Sequence, residues 1–173
     1  VQFGTPAALS GQSCLAPELK AKALQLLARN ELTVQNTMVS PTGFPFKVAQ
    51  LPGTLSEKAV YEARKRVCDI GLLQANYVTP EGGLGYRCPA EPVDEFVRKG
   101  GRAQNTVGRG CLCNGLLAAT GLPQIRAGGY AEPAIVTLGD DFTAARELLN
   151  QLPPGQETYT IGKLIQFLRK GLA

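Results

Sequence analysis

No histidine occurs anywhere in the 173 residues of this chain. Any mechanism that needs a histidine base or a histidine metal ligand inside the chain is thereby excluded. No apolar run approaches the ~20 residues that a membrane-spanning helix requires. A basic segment followed by an apolar one, the mark of a secretory signal, is missing from the start. Charge is sparse and unclustered. The 18 Lys and Arg against 14 Asp and Glu leave a net +4 spread along the chain. The basic stripe interleaved with aromatics that marks a nucleic-acid surface is absent. Cysteine is scarce and odd in number, with Cys14, Cys68, Cys88, Cys111 and Cys113. That pattern fits reduced thiols and a cytoplasmic location better than a disulfide framework.

What is present suffices for one sizeable core, at 44% hydrophobic residues. Val1, Gln2 and Phe3 alternate apolar and polar and then break at Gly4, Thr5 and Pro6. This reads as a strand delivering a glycine turn, with its ladder partners upstream. A helix is expected over 17–29, with proline at its first position and Leu19, Ala23, Leu26 and Leu27 in one stripe; Lys20, Lys22 and Gln25 fall outside it. Residues 32–39 are β-prone. The segment 40–47, SPTGFPFK, reads as a fixed loop because of its two prolines and glycine.

Thr54 and Glu57 have capping-box spacing ahead of a helix carrying Ala59, Val60, Ala63 and Val67. Further helices are expected over 89–99 and 111–120, through Ala145, Leu148 and Leu149, and from about residue 160, where Ile161, Leu164, Ile165 and Leu168 share a face. Asp140 or Asp141 is placed to cap the helix through Ala145. Ile135 to Leu138 reads as a short strand or extended run. By itself the chain reads as an α-rich α+β assembly with long ordered loops.

Three groups of residues have the composition for chemistry. Gly4 at the end of a strand lets the backbone approach a phosphate, with the Thr5 hydroxyl and a following helix N-terminus aimed at its oxygens. Cys68, Cys88, Cys111 and Cys113, spaced C-x19-C-x22-C-x-C, admit a four-thiolate zinc or iron–sulfur site, but only one close pair exists. Within one helix Cys111 and Cys113 point ~200° apart, so they converge only if the helix starts after Cys111. Buried structural thiols are the expectation, and no metal site is assigned. A reactive Cys111 activated by Arg109 is a further alternative. Phe44 and Phe46 read as staples of the 40–47 loop, or as an aromatic wall beside a ligand with Lys47 offering charge.

The segments 40–47 (SPTGFPFK), 86–93 (YRCPAEPV) and 106–114 (TVGRGCLCN), in this order, resemble the C-terminal half of the nitronate monooxygenase (2-nitropropane dioxygenase-like) family. The resemblance runs from Val1 to about Asp141. It implies an α/β fold, the C-terminal portion of an FMN-binding (β/α)8 (TIM) barrel. Residues 1–30 would supply the last strand and helix of that barrel, and 31–173 a mostly helical extension packed on it. The family's Gln-x-Gly-Thr phosphate segment maps onto Gln2, Phe3, Gly4 and Thr5. Its catalytic base is an upstream histidine, so no catalytic residue is expected in this chain, which alone should be inactive. Ala7 and Ser10 depart from the pattern, where an aromatic and a cysteine-containing segment are usual.

The implied chemistry is oxidation of an alkyl nitronate by FMN and dioxygen. The implied partners are that substrate, the remainder of the barrel and, in one alternative, a second copy of the chain; neither nucleic acid nor membrane is expected. A flavin-dependent enoyl reductase of a fatty-acid or polyketide pathway is the competing enzyme. A non-catalytic cysteine-rich binding or scaffold module is the competitor of another class.

Overall fold

The computed structural model of the chain describes residues 3–171. Seven helices and three two-stranded antiparallel hairpins form a mixed α/β domain, and among the described residues no strands close into a barrel. The expected opening strand meets a helix earlier than its pattern suggests. Gly4 already begins α1 (Gly4–Ala8), while Val1 and Gln2 lie outside the described residues.

Helix α2 (Pro17–Ala28) forms where proline and the leucine stripe place it. Asn30 ends it with φ 59°, and the Glu31 and Asn30 amides return to the Leu26 and Leu27 carbonyls. This double return satisfies carbonyls that a helix end leaves unpaired. Lys20 departs from its expected outer position. It is buried, and its Nζ donates to the Gly11 and Ser13 carbonyls at 3.2 Å each, so its charge is spent on holding the loop before the helix.

The first hairpin pairs β1 (Val34–Val39) with β2 (Pro45–Ala49), so the last three residues of the expected loop 40–47 are strand. Pro45 is tolerated because it stands at the first strand position of a two-stranded ribbon, where its missing N–H costs no ladder bond. The turn closes on Ser40, whose Oγ accepts from the Phe44 amide at 3.0 Å, and Gly43 takes φ 98°. The expected capping box is replaced by a tighter loop. The Thr54 hydroxyl donates to the Leu51 carbonyl at 2.7 Å, and α3 (Lys58–Ala63) begins after Glu57 with no side-chain cap and no buried residue.

The second hairpin, β3 (Ala75–Val78) with β4 (Leu84–Arg87), occupies the Gly- and Pro-rich stretch and feeds α4 (Val93–Arg98). Helix α5 (Cys113–Ala118) starts two residues later than the apolar run, and the third hairpin, β5 (Ile125–Arg126) with β6 (Tyr130–Ala131), follows it. Residues 134–138 then cross the interior as an extended run outside any ladder. Ala49 and Leu55 donate to the Val136 and Ala134 carbonyls, and Ile135 donates to Gly115. Gly115 makes this crossing possible, since a Cβ there would sit 2.6 Å from Leu55 and 3.1 Å from Ile135.

Asp141 accepts from the Thr143 amide and starts α6 (Thr143–Asn150); Thr160 caps α7 (Ile161–Lys170) by accepting from the Lys163 amide. One core gathers Leu9, Leu19, Leu24, Leu27, Leu148, Tyr159 and Leu164, so residues of α1 and α2 share their interior with α6 and α7. A second, smaller core holds Val48, Leu55, Leu112 and Ile135.

Tyr159 is fully buried and donates to the Pro6 carbonyl at 2.8 Å, which fastens α1 to the segment ahead of α7. Burial holds its phenol well above the ordinary tyrosine range. The unfolded chain therefore releases this proton first, and the contribution to stability is whole below about pH 10 and lost as pH rises beyond it. The urea midpoint is expected to fall between about pH 9 and about pH 11, and to fall less for Tyr159→Phe. Equal falls would assign the effect to other groups.

Candidate functional site

The first and third of the segments that carry the resemblance are far apart in sequence and meet in space. Arg109 reaches from the third to the first, its Nη1 donating to the Ser40 carbonyl at 3.2 Å and lying against Gly43. The Gly110 amide donates to the Val39 carbonyl at 2.7 Å, in a parallel bridge between Val39 and Arg109. Tyr61 joins them from α3, its hydroxyl accepting from the Cys111 amide at 2.9 Å. Arg109 is thus committed to backbone carbonyls, including Asn105, and is not the activator of Cys111 that its position suggested.

The second segment is held by contacts of its own around Cys88, which is buried. Its amide donates to Glu91 Oε1 at 3.2 Å, and Glu91 Oε2 accepts from Lys99 at 2.6 Å. Of the two phenylalanines, only Phe46 packs against the second core; Phe44 is 72% exposed and staples nothing. Lys47 pairs with Asp140 at 2.6 Å, so the charge offered beside the loop is neutralised locally. The Lys47 contact, with help from a backbone amide, holds the Asp140 carboxyl below its ordinary value.

Of the expected phosphate residues, Gln2 lies outside those described. Phe3 is half-buried and borders a cleft of about 950 Å³ with Glu147, Gln151, Lys163 and Phe167. Gly4 is exposed, and nothing lies within 4 Å of where its Cβ would be. Its backbone therefore has the room that a phosphate needs for close approach. Thr5 is different. Its hydroxyl is buried, accepting from the Gly139 amide at 2.7 Å and donating to the Gly139 carbonyl at 3.3 Å. Space is open at Gly4, whereas Thr5 is buried and its hydroxyl is occupied in holding Gly139.

Burial, first, and the neighbouring Cys111 raise the thiols of Cys68, Cys88 and Cys113 above their ordinary value. Cys111 precedes α5 and Cys113 opens it, the one arrangement in which the pair can face the same volume. Asn114 Nδ2 donates to the Val67 carbonyl at 2.9 Å and to Asp69 Oδ2 at 3.3 Å, gripping both neighbours of Cys68. Beside them Arg64 and Glu132 form an ion pair at 2.9 Å with both side chains 1% exposed. Among the described residues, no three His, Cys, Asp or Glu side chains are placed to hold a single metal ion. No helix among them is long and apolar enough to cross a membrane.

No family model, no curated protein and no solved structure matches the chain.

Proposed function

We propose that this chain serves an FMN-dependent oxidoreductase that oxidises alkyl nitronates with dioxygen, in the manner of nitronate monooxygenases. One observation carries the reading: the first and third segments of the resemblance, distant in sequence, are joined by Arg109 to Ser40 and by Gly110 to Val39. Apolar surface supports a docking role for the same region. Val78, Leu84 and Tyr86 of the second hairpin and Val93 and Val97 of α4 are exposed together in sequence, as a face packed on the remainder of a barrel would be before that partner is added.

Within this reading the backbone of Gly4 and Thr5 holds the FMN phosphate, and the flavin supplies the electron transfer when bound. Thr5 keeps that turn fixed by tying it to Gly139. The proton-abstracting base belongs outside these residues, because the chain has no histidine.

A carboxylate at the approach point opposes a phosphate by like charge. Gly4→Glu is expected to weaken FMN binding by about tenfold or more, read as the loss of flavin fluorescence quenching in the flavin-bearing protein. Unchanged affinity would remove Gly4 and Thr5 from the phosphate site.

A further inference from the structure

Residues of α2, of α6 and of the segment that follows α6 line a cleft of about 630 Å³, the size of a small-molecule site. It shares no lining residue with the cleft beside Phe3, so what it holds is independent of the flavin reading. Leu24 and Leu27 from α2, Leu149 from α6 and Leu152 beyond it give the cleft an apolar wall.

Two cations stand among these leucines. Lys20 is only 7% exposed, and its Nζ donates to the Gly11 and Ser13 carbonyls. Those two bonds hold the loop and leave one N–H over, and neither carbonyl carries a charge to cancel the ammonium. Among the described residues no carboxylate lies within ion-pair distance of it. A buried ammonium is ordinarily paired, because the cost of taking it out of water is otherwise unrecovered.

Arg146 is the second cation. Its guanidinium stands over the Phe142 ring at 5.9 Å, which orients it. It makes no ion pair among the described residues, and its Nε is buried without a hydrogen-bond partner. Glu157 is the one acidic residue of the described lining; it is exposed and pairs with neither cation. The lining therefore carries one net positive charge beside an apolar wall.

We propose that this cleft binds a small organic monocarboxylate, its carboxylate on Arg146 in the field of Lys20 and its apolar body along the leucines. A guanidinium fork matches the two oxygens of a carboxylate, and a single negative charge balances the lining. A neutral apolar molecule would cover the leucines and leave Lys20 uncompensated. Inorganic phosphate has nothing to offer the leucines, and as a dianion it exceeds the charge that the lining balances.

The test is calorimetric titration of the chain with octanoate, with 1-octanol, acetate and inorganic phosphate as comparators. One octanoate per chain is expected, bound at least about tenfold tighter than 1-octanol or acetate, with no displacement by phosphate. Arg146→Gln removes the charge and no hydrogen bond of the fold. It should weaken octanoate by about tenfold and leave 1-octanol unchanged. This variant decides the matter even if Lys20→Met, which also strips the Gly11 and Ser13 carbonyls of their donor, fails to fold. Octanoate should also shift the amide resonances of α2 and α6. No octanoate binding, 1-octanol binding as tight as octanoate, displacement by phosphate, or an affinity indifferent to Arg146→Gln would overturn the proposal.

Discussion

Glu132→Ala is expected to lower the free energy of unfolding by about 3–5 kcal/mol. The carboxylate is fully engaged, Oε1 accepting from Arg64 at 2.9 Å and Oε2 from the Tyr130 hydroxyl at 2.8 Å. Removing it strands a guanidinium that is 1% exposed and already has two unpartnered nitrogens. The cost is that of a buried charge without a counterion, which is larger than the value of the pair itself. The double variant Arg64→Met with Glu132→Leu should therefore recover most of the loss. Urea denaturation of the three proteins measures both effects. A double variant as unstable as Glu132→Ala would mean that shape, and not charge, is what the pair supplies.

Tyr159→Ala is expected to cost a comparable about 3–5 kcal/mol, because a fully buried aromatic leaves a cavity that its neighbours only partly fill. Tyr159→Phe keeps the ring and strands the Pro6 carbonyl, at about 1–2 kcal/mol. The two variants separate packing from the hydrogen bond. The position has further reach, since the Gly11 amide donates to the Tyr159 carbonyl at 2.8 Å and Thr158 Oγ1 to the Leu9 carbonyl at 3.1 Å. Loss of the ring should loosen α1, and faster amide exchange at residues 7–11 is the accompanying sign. Exchange confined to α7 would contradict the fastening of α1 by this residue.

Regular elements were legible where a period of 3.6 carried the signal. Helices α2 and α7 lie where their leucine stripes put them, and Thr160 caps α7. Local patterns misled where a nearby backbone carbonyl outbid them. The Thr54 hydroxyl had a closer acceptor at Leu51 than the capping box offered, and Lys20 found two loop carbonyls that its helix face could not announce. Pro45 argued for loop only because the sequence does not say that its strand is an edge.

The site shows the same division. Gly4 was legible as a place of backbone approach, whereas the commitment of Thr5 to Gly139 depends on a contact 134 residues away. For the cysteines, α5 starts two residues later than the apolar run, so Cys111 stands outside the helix that Cys113 opens. Helix boundaries are the least certain feature of any periodicity, so this was beyond the sequence.

The central claim is the flavin chemistry, and oxygen consumption measures it most directly. The protein made from its full reading frame and loaded with FMN should take up dioxygen on addition of an alkyl nitronate, while the 173-residue chain alone, lacking a histidine, should not exceed the FMN blank. NAD(P)H oxidation driven by an enoyl thioester, with no nitronate-dependent oxygen uptake, would contradict the account.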